Sequence, residues 1–202
     1  STHASFSGMV PHLVPRYHVC AIDLLGHGGS TRETEDLSVA AQAAAITEVF
    51  LELEFGGVCV VGHGLGGSVA IRLAASAPDR VQKLVLLSSG CYHRETPLAA
   101  RLLRSRVLWT ALGFLGPAVR RRCVARISGR TSPVALERER LVGFRTLTGW
   151  RTLGRAYREN TTDEALSEME ELAERYLHRP TLAVWGTDDP INPISVARMA
   201  FR

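Results

Sequence analysis

The chain has 202 residues, 46% of them apolar and 22% charged, with a formal net charge of +4, values ordinary for one sizeable globular core. No run approaches the roughly 18 consecutive apolar residues of a membrane span. No secretory signal is visible, and no nucleic-acid-binding motif accompanies the charge. Cys20, Cys59, Cys91 and Cys123 form neither a CxxC pair nor a metal-ligand cluster with histidine, so no metal site, reduced thiols and a cytoplasmic setting are expected.

In chain order, residues 7–15 read as a short helix ending near Pro15. Tyr17-His-Val-Cys-Ala-Ile22 is β-rich and stops at the glycine-rich loop Asp23-Leu-Leu-Gly-His-Gly-Gly-Ser30. Asp36 or Ser38 caps a helix that runs through the alanine-rich stretch 39–54 and ends at Gly56-Gly57. Val58-Cys-Val-Val61 is short and wholly apolar, as a central parallel strand is. Gly62 to Gly67 is a tight turn, Ser68 to Ser76 a helix, and Val81 to Leu87 the next strand. Cys20 and Cys59 fall inside the strand runs, where cysteine acts as a small hydrophobe. Residues 94–175 are helical in pattern and Arg-rich. Pro180-Thr-Leu-Ala-Val-Trp185 returns to strand pattern, and residues 194–202 begin another helix. Strands alternating with helices predict an α/β domain whose parallel sheet is covered on both faces.

The turn after Val61 has a specific geometry. A strand that reverses into a helix within so few residues forces its central residue to positive φ, and small flanking residues keep strand and helix from clashing. Gly62-His63-Gly64-Leu65-Gly66 meets those demands. Its central residue, Gly64, has no side chain.

Three strings then resemble the α/β-hydrolase superfamily, in particular its capped esterases, haloperoxidase-like enzymes and epoxide hydrolases. Asp23 to Ser30 is similar to the family's D-x-x-G-x-G-x-S loop. Val61-Gly-His-Gly-Leu-Gly-Gly67 is similar to its G-H-S-x-G-G nucleophile elbow, with glycine in place of serine. Pro180-Thr-Leu-Ala-Val-Trp-Gly-Thr-Asp-Asp-Pro190 is similar to the strand and turn that present the catalytic acid. The order of the three matches the family over nearly the whole chain.

The resemblance implies a doubly wound, mostly parallel sheet with a helical cap insertion, truncated at both ends. Residues 1–93 would be the first part of the core, 94–175 the cap and return helix, and 176–202 an incomplete second part. It implies that Asp189 is the acid that orients a histidine, with Asp188 capping the turn, and that the backbone N–H of Leu65 is an oxyanion donor. It implies that Gly64 occupies the nucleophile position, and that no cofactor is needed. The second oxyanion loop would precede Ser1 and the catalytic histidine would follow Arg202. His27 and His63 are loop residues beside the site, and His93, after a strand, is a candidate for lining the substrate pocket. Ser30 reads as a turn-stabilising hydroxyl. Ser68 lies about one helical turn, ~6 Å, past Gly64 and is no substitute nucleophile.

Glycine at the elbow is easy to tolerate, because a non-glycine residue held there costs on the order of 1–3 kcal/mol. The substitution keeps the fold and deletes acyl-enzyme chemistry. Three explanations stand: a ligand-binding relative without catalysis, a pocket in which a His–Asp pair activates water or acts as a base in another reaction, or a Gly64 that is engineered or erroneous. The expected activity is hydrolysis of a small or medium apolar ester or a related carbonyl compound. The alternative is a non-catalytic binding protein on the same fold.

The charge is unevenly distributed. Residues 94–158 hold 15 Arg and 3 Glu, a balance of +12, against −8 for the remainder. In segment 98–126, Leu98, Leu102, Leu103, Val107, Leu108, Leu112 and Leu115 stand at near-helical spacing, interleaved with Arg101, Arg104, Arg106 and Arg120-Arg121-Arg122. The plain reading of the arginines is a solvated helix face. The sharper one is an anionic partner: a phosphopantetheine-bearing acyl carrier, an acyl-CoA or an acidic membrane surface.

Overall fold

The computed structural model describes residues 2–31, 34–90, 104–116, 118–119, 146–189 and 192–200. A 3-10 turn at His3–Phe6 and a single helical turn α1, Val10–Leu13, precede helix α2, Val39–Glu52. Strand β1, Val58–His63, leads into α3, Leu65–Ser76, and β2, Val81–Leu87, follows. Helices α4 (Arg106–Phe114), α5 (Leu147–Glu159) and α6 (Asp163–Tyr176) come before β3, Thr181–Val184, and α7, Ile194–Ala200.

Local chemistry explains the boundaries. The Ser38 hydroxyl accepts from the Ala41 N–H and starts α2, satisfying one of the donors that every helix start leaves open. The helix ends earlier than its glycines suggest, at Glu52, and Glu54 itself takes the left-handed conformation with φ 54°. Thr146 and Thr162 cap α5 and α6 in the same way as Ser38.

The strands form a parallel sheet in the order β1-β2-β3, with His63 opposite Leu87 and Leu87 opposite Val184. Helix α3 lies against β1 and β2 and is flanked by α2 and α6. Its Val69, Ala70, Ile71, Leu73 and Ala74 are fully buried together with Leu84 and Leu86 of β2. Burying each large side chain in such a core contributes about 1.5–3 kcal/mol. Alanine and glycine on α3 allow helix and sheet to approach closely.

One expectation is corrected. The run 17–22 is not a strand: it carries no ladder, and Tyr17 and Cys20 are exposed. Alternation records which side chains suit a pleated surface, not whether a partner strand lies alongside. Leu84, Leu86 and Ala183 turn toward α3 and α7, whereas Cys59, Lys83, Leu182 and Val184, which share the other face by register, are exposed. Cys59 is therefore in a strand, as expected, but not buried. Cys91 and Cys123 lie outside the described residues.

Candidate functional site

The candidate site is built where β1, β2 and β3 all end. Gly64 follows β1 with φ 56° and ψ −119° and is the N-cap residue of α3. Its N–H donates to the Leu87 carbonyl at 3.0 Å, and its own carbonyl accepts from the Gly67 N–H at 3.0 Å. The turn is thus fixed by backbone bonds to the neighbouring strand and to its own helix. A Cβ at Gly62 would overlap the Gly66 carbonyl and come within 2.6 Å of the Gly67 Cα, and a Cβ at Gly67 would overlap Ser89. At Gly64 and at Gly66 an added Cβ meets nothing within 4 Å. The steric need for glycine therefore falls on Gly62 and Gly67, whereas Gly64 stands at positive φ beside open space.

Leu65 is the first residue of α3. Its N–H has no intrahelical carbonyl by helix geometry, and the start of a 12-residue helix favours negative charge. An oxygen that gains charge in front of the turn would meet that N–H. The helix begins three residues before the expected Ser68, because the turn reverses the chain within Gly64 alone.

Asp189 lies in the segment after β3. One carboxylate oxygen, Oδ1, accepts from the Asn192 N–H at 2.9 Å, and the Asn192 side-chain amide donates to the Ser88 carbonyl at 2.7 Å. The Ser88 N–H donates to the Val184 carbonyl at 2.9 Å, and Ser88 is held at φ 44°. A non-glycine residue in that region is strained. Strand order and register bring Gly64, Ser88 and the Asp189 segment to one edge of the sheet, with Ser88 between the other two. Two strand spacings, roughly 10 Å, separate the end of β1 from the end of β3. Asn192 was not anticipated from sequence, although an aspartate followed three residues later by asparagine is a turn signal. The turn-capping bond expected of Asp188 is made by Asp189, and Asp188 is exposed.

The remaining candidates separate clearly. Ser68 is buried and its hydroxyl donates to the Gly90 carbonyl at 2.8 Å, so it ties α3 to the end of β2. The Ser30 hydroxyl donates to the Asp23 carbonyl at 2.5 Å, and His27 Nδ1 lies 3.1 Å from the Leu25 carbonyl. Both are turn contacts. His63 closes β1. His93 lies outside the described residues. In the 23–30 loop the Asp23 carboxylate accepts from the Gly29 N–H at 2.9 Å and the His3 N–H at 2.7 Å, with His3 Nδ1 at 3.0 Å. Burial pushes its pKa up, but these donors and the His3 ring outweigh that and hold it below the usual carboxylate value.

The model of the alpha/beta hydrolase fold family matches residues 1–200. The chain belongs to the α/β-hydrolase fold family. A protein of Mycobacterium tuberculosis, itself uncharacterised, is 32% identical over 211 residues, covering 97% of this chain and 61% of that protein. The chain thus spans about three-fifths of the length of the mycobacterial relatives it matches. A pimeloyl-[acyl-carrier protein] methyl ester esterase of Nitrosomonas europaea is 42% identical over 90 residues, covering 44% of this chain and 34% of the esterase. An α/β-hydrolase fold protein of Burkholderia ambifaria superposes with a TM-score of 0.81 at 19% identity, over 98% of this chain and 74% of that one. As a member of this family the chain has hydrolases and esterases among its relatives.

Proposed function

We propose that this α/β-hydrolase-family protein hydrolyses a small or medium apolar ester, or a related carbonyl compound, without a seryl nucleophile and without a cofactor. The observation that supports this most is the open space at the Cβ position of Gly64, directly before the Leu65 N–H at the start of α3. In this reading a water takes the place of the missing hydroxymethyl group. A base oriented by Asp189 removes its proton while the water oxygen bonds to the carbonyl carbon. The Leu65 N–H donates to the oxygen that becomes negative. Collapse of that intermediate breaks the bond to the alcohol, which leaves with the proton. The second reading is a binding protein that holds such a ligand without turnover, and the glycine itself favours it.

Turnover of p-nitrophenyl esters by the whole protein and by its Gly64→Ser variant separates these readings. Water attack predicts slow steady turnover with no burst in the parent protein, and a burst of nitrophenol in Gly64→Ser as an acyl-enzyme forms. Turnover only in Gly64→Ser favours the binding reading. Equal turnover with a burst in both proteins refutes the loss of covalent chemistry at Gly64.

A further inference from the structure

Two consecutive residues at the end of β2 hold the two sides of the candidate site. The Leu87 carbonyl accepts from the Gly64 N–H at 3.0 Å. The Ser88 carbonyl accepts from the Asn192 side-chain amide at 2.7 Å. Neighbouring residues of a central strand turn their polar groups toward opposite partner strands. Leu87 therefore anchors the elbow after β1, and Ser88 anchors the segment that carries Asp189.

The bond to Ser88 continues a ladder that the backbone has left. In a parallel pair a residue donates to one partner carbonyl and accepts from the N–H two residues further along that partner. The Ser88 N–H donates to the Val184 carbonyl at 2.9 Å, so the pattern gives its own carbonyl to the N–H of Gly186. Strand β3 ends at Val184, and the Asn192 side chain is the donor at that carbonyl instead. Both backbone polar groups of Ser88 are thus tied to the β3 side. That suits a residue held at φ 44°, because such a conformation persists only where its surroundings over-determine it.

Asn192 makes a second contact with its backbone. Its N–H donates to Asp189 Oδ1 at 2.9 Å, a bond that a carboxylate strengthens. Its amide oxygen lies close to Gly90, where an added Cβ would come within 3.0 Å of it. One asparagine therefore grips the carboxylate with its main chain and the end of β2 with its side chain.

We infer that Asn192 is a positioning residue, whose side chain fixes the Asp189 carboxylate at the end of β2 and so sets its place relative to Gly64. Its relevance to turnover rests on the proposed role of Asp189 in orienting the base. The first test needs no activity. In proton–nitrogen NMR spectra of the full chain, the residue 192 amide proton is followed as the pH is lowered. It is expected to move as Asp189 takes up its proton, and to stay still in Asp189→Asn. In Asn192→Ala the movement is expected to be lost. Asn192→Leu, which keeps the size of the side chain without the donor, is expected to behave alike and serves where the alanine variant does not fold. The second test is steady turnover of a p-nitrophenyl ester, by the parent or, if it is inactive, by Gly64→Ser. Both residue 192 variants are expected to lower kcat about tenfold to a hundredfold, the effect of a small misplacement, with KM within about twofold. A residue 192 amide that still follows Asp189 in the variants overturns the inference. So does an unchanged kcat, or a loss that falls on KM instead. If neither the parent nor Gly64→Ser turns over ester, the hydrolytic reading fails, and the amide titration alone decides whether Asn192 places the carboxylate.

Discussion

Three glycines of one turn, replaced one at a time by alanine, separate backbone strain from steric overlap. At Gly64 the added Cβ has open space, so the cost comes from holding a non-glycine residue at φ 56°, about 1–3 kcal/mol. At Gly62 the Cβ collides with backbone of the Gly66–Gly67 peptide. Backbone cannot rotate away as a side chain can, and the turn must open, at a cost of about 3 kcal/mol or more. At Gly66 the Cβ meets nothing, inside α3, and alanine gains about 1 kcal/mol of helix propensity. Equilibrium urea denaturation reads the series, since a change of about 2 kcal/mol moves the midpoint by roughly 1 M. The expected order of midpoints, from highest, is Gly66→Ala, parent, Gly64→Ala, Gly62→Ala. A Gly62→Ala protein as stable as Gly64→Ala, or a Gly64→Ala protein as stable as Gly66→Ala, would refute the assignment of strain and overlap within the turn.

Three further outcomes are expected. Because the folded pKa of Asp23 lies below its unfolded value, its contribution to stability is complete above about pH 3.9 and is lost as the pH falls through the lower folded value. Denaturation midpoints of Asp23→Asn should accordingly fall less between neutral and acid pH than those of the parent. Asn160→Ala removes the acceptor of the Val39 N–H and the donor to the Leu37 and Ala156 carbonyls, and should cost about 1–3 kcal/mol by thermal or urea unfolding. Trp150→Phe keeps an aromatic ring on Trp109 but loses the indole bond to the Trp109 carbonyl at 2.8 Å. It should lower stability by about 1–3 kcal/mol and reduce the near-ultraviolet dichroism of the indole pair. No change in either signal would show that the α4–α5 contact does not form in solution.

Where composition and local chemistry decide an element, the sequence is a good guide. The apolar runs at 58, 81 and 181 are strands, Ser38 caps α2, and the helix begun at Ile194 is present. Glycine spacing located the turn because the close approach of strand and helix excludes a Cβ at Gly62. It could not separate Gly66, which touches nothing, from Gly67, which faces Ser89. Facts set by distant parts of the chain were not legible. Residues 17–22 have a strand's composition but no ladder, and Cys59 sits in an apolar run yet faces solvent, because cover on each face of a sheet comes from elsewhere in the fold. The bridge from Asp189 through Asn192 to Ser88 joins residues about a hundred positions apart, and no local pattern announces it.

The start of α2 carries a consequence for the order of folding. Its Leu37 and Val39 N–H groups are bonded by Glu159 and Asn160, 122 and 121 residues later in the chain. Such bonds cannot form until the segment after β2 has been traversed and its last helix docked, and closing so long a loop delays them relative to local contacts. The Ser38 cap, three residues from its partner, can form at once. The first turn of α2 therefore has an early half and a late half. During refolding the Ala41 amide should gain protection from hydrogen exchange before the Val39 amide, although the two are neighbours on the same turn.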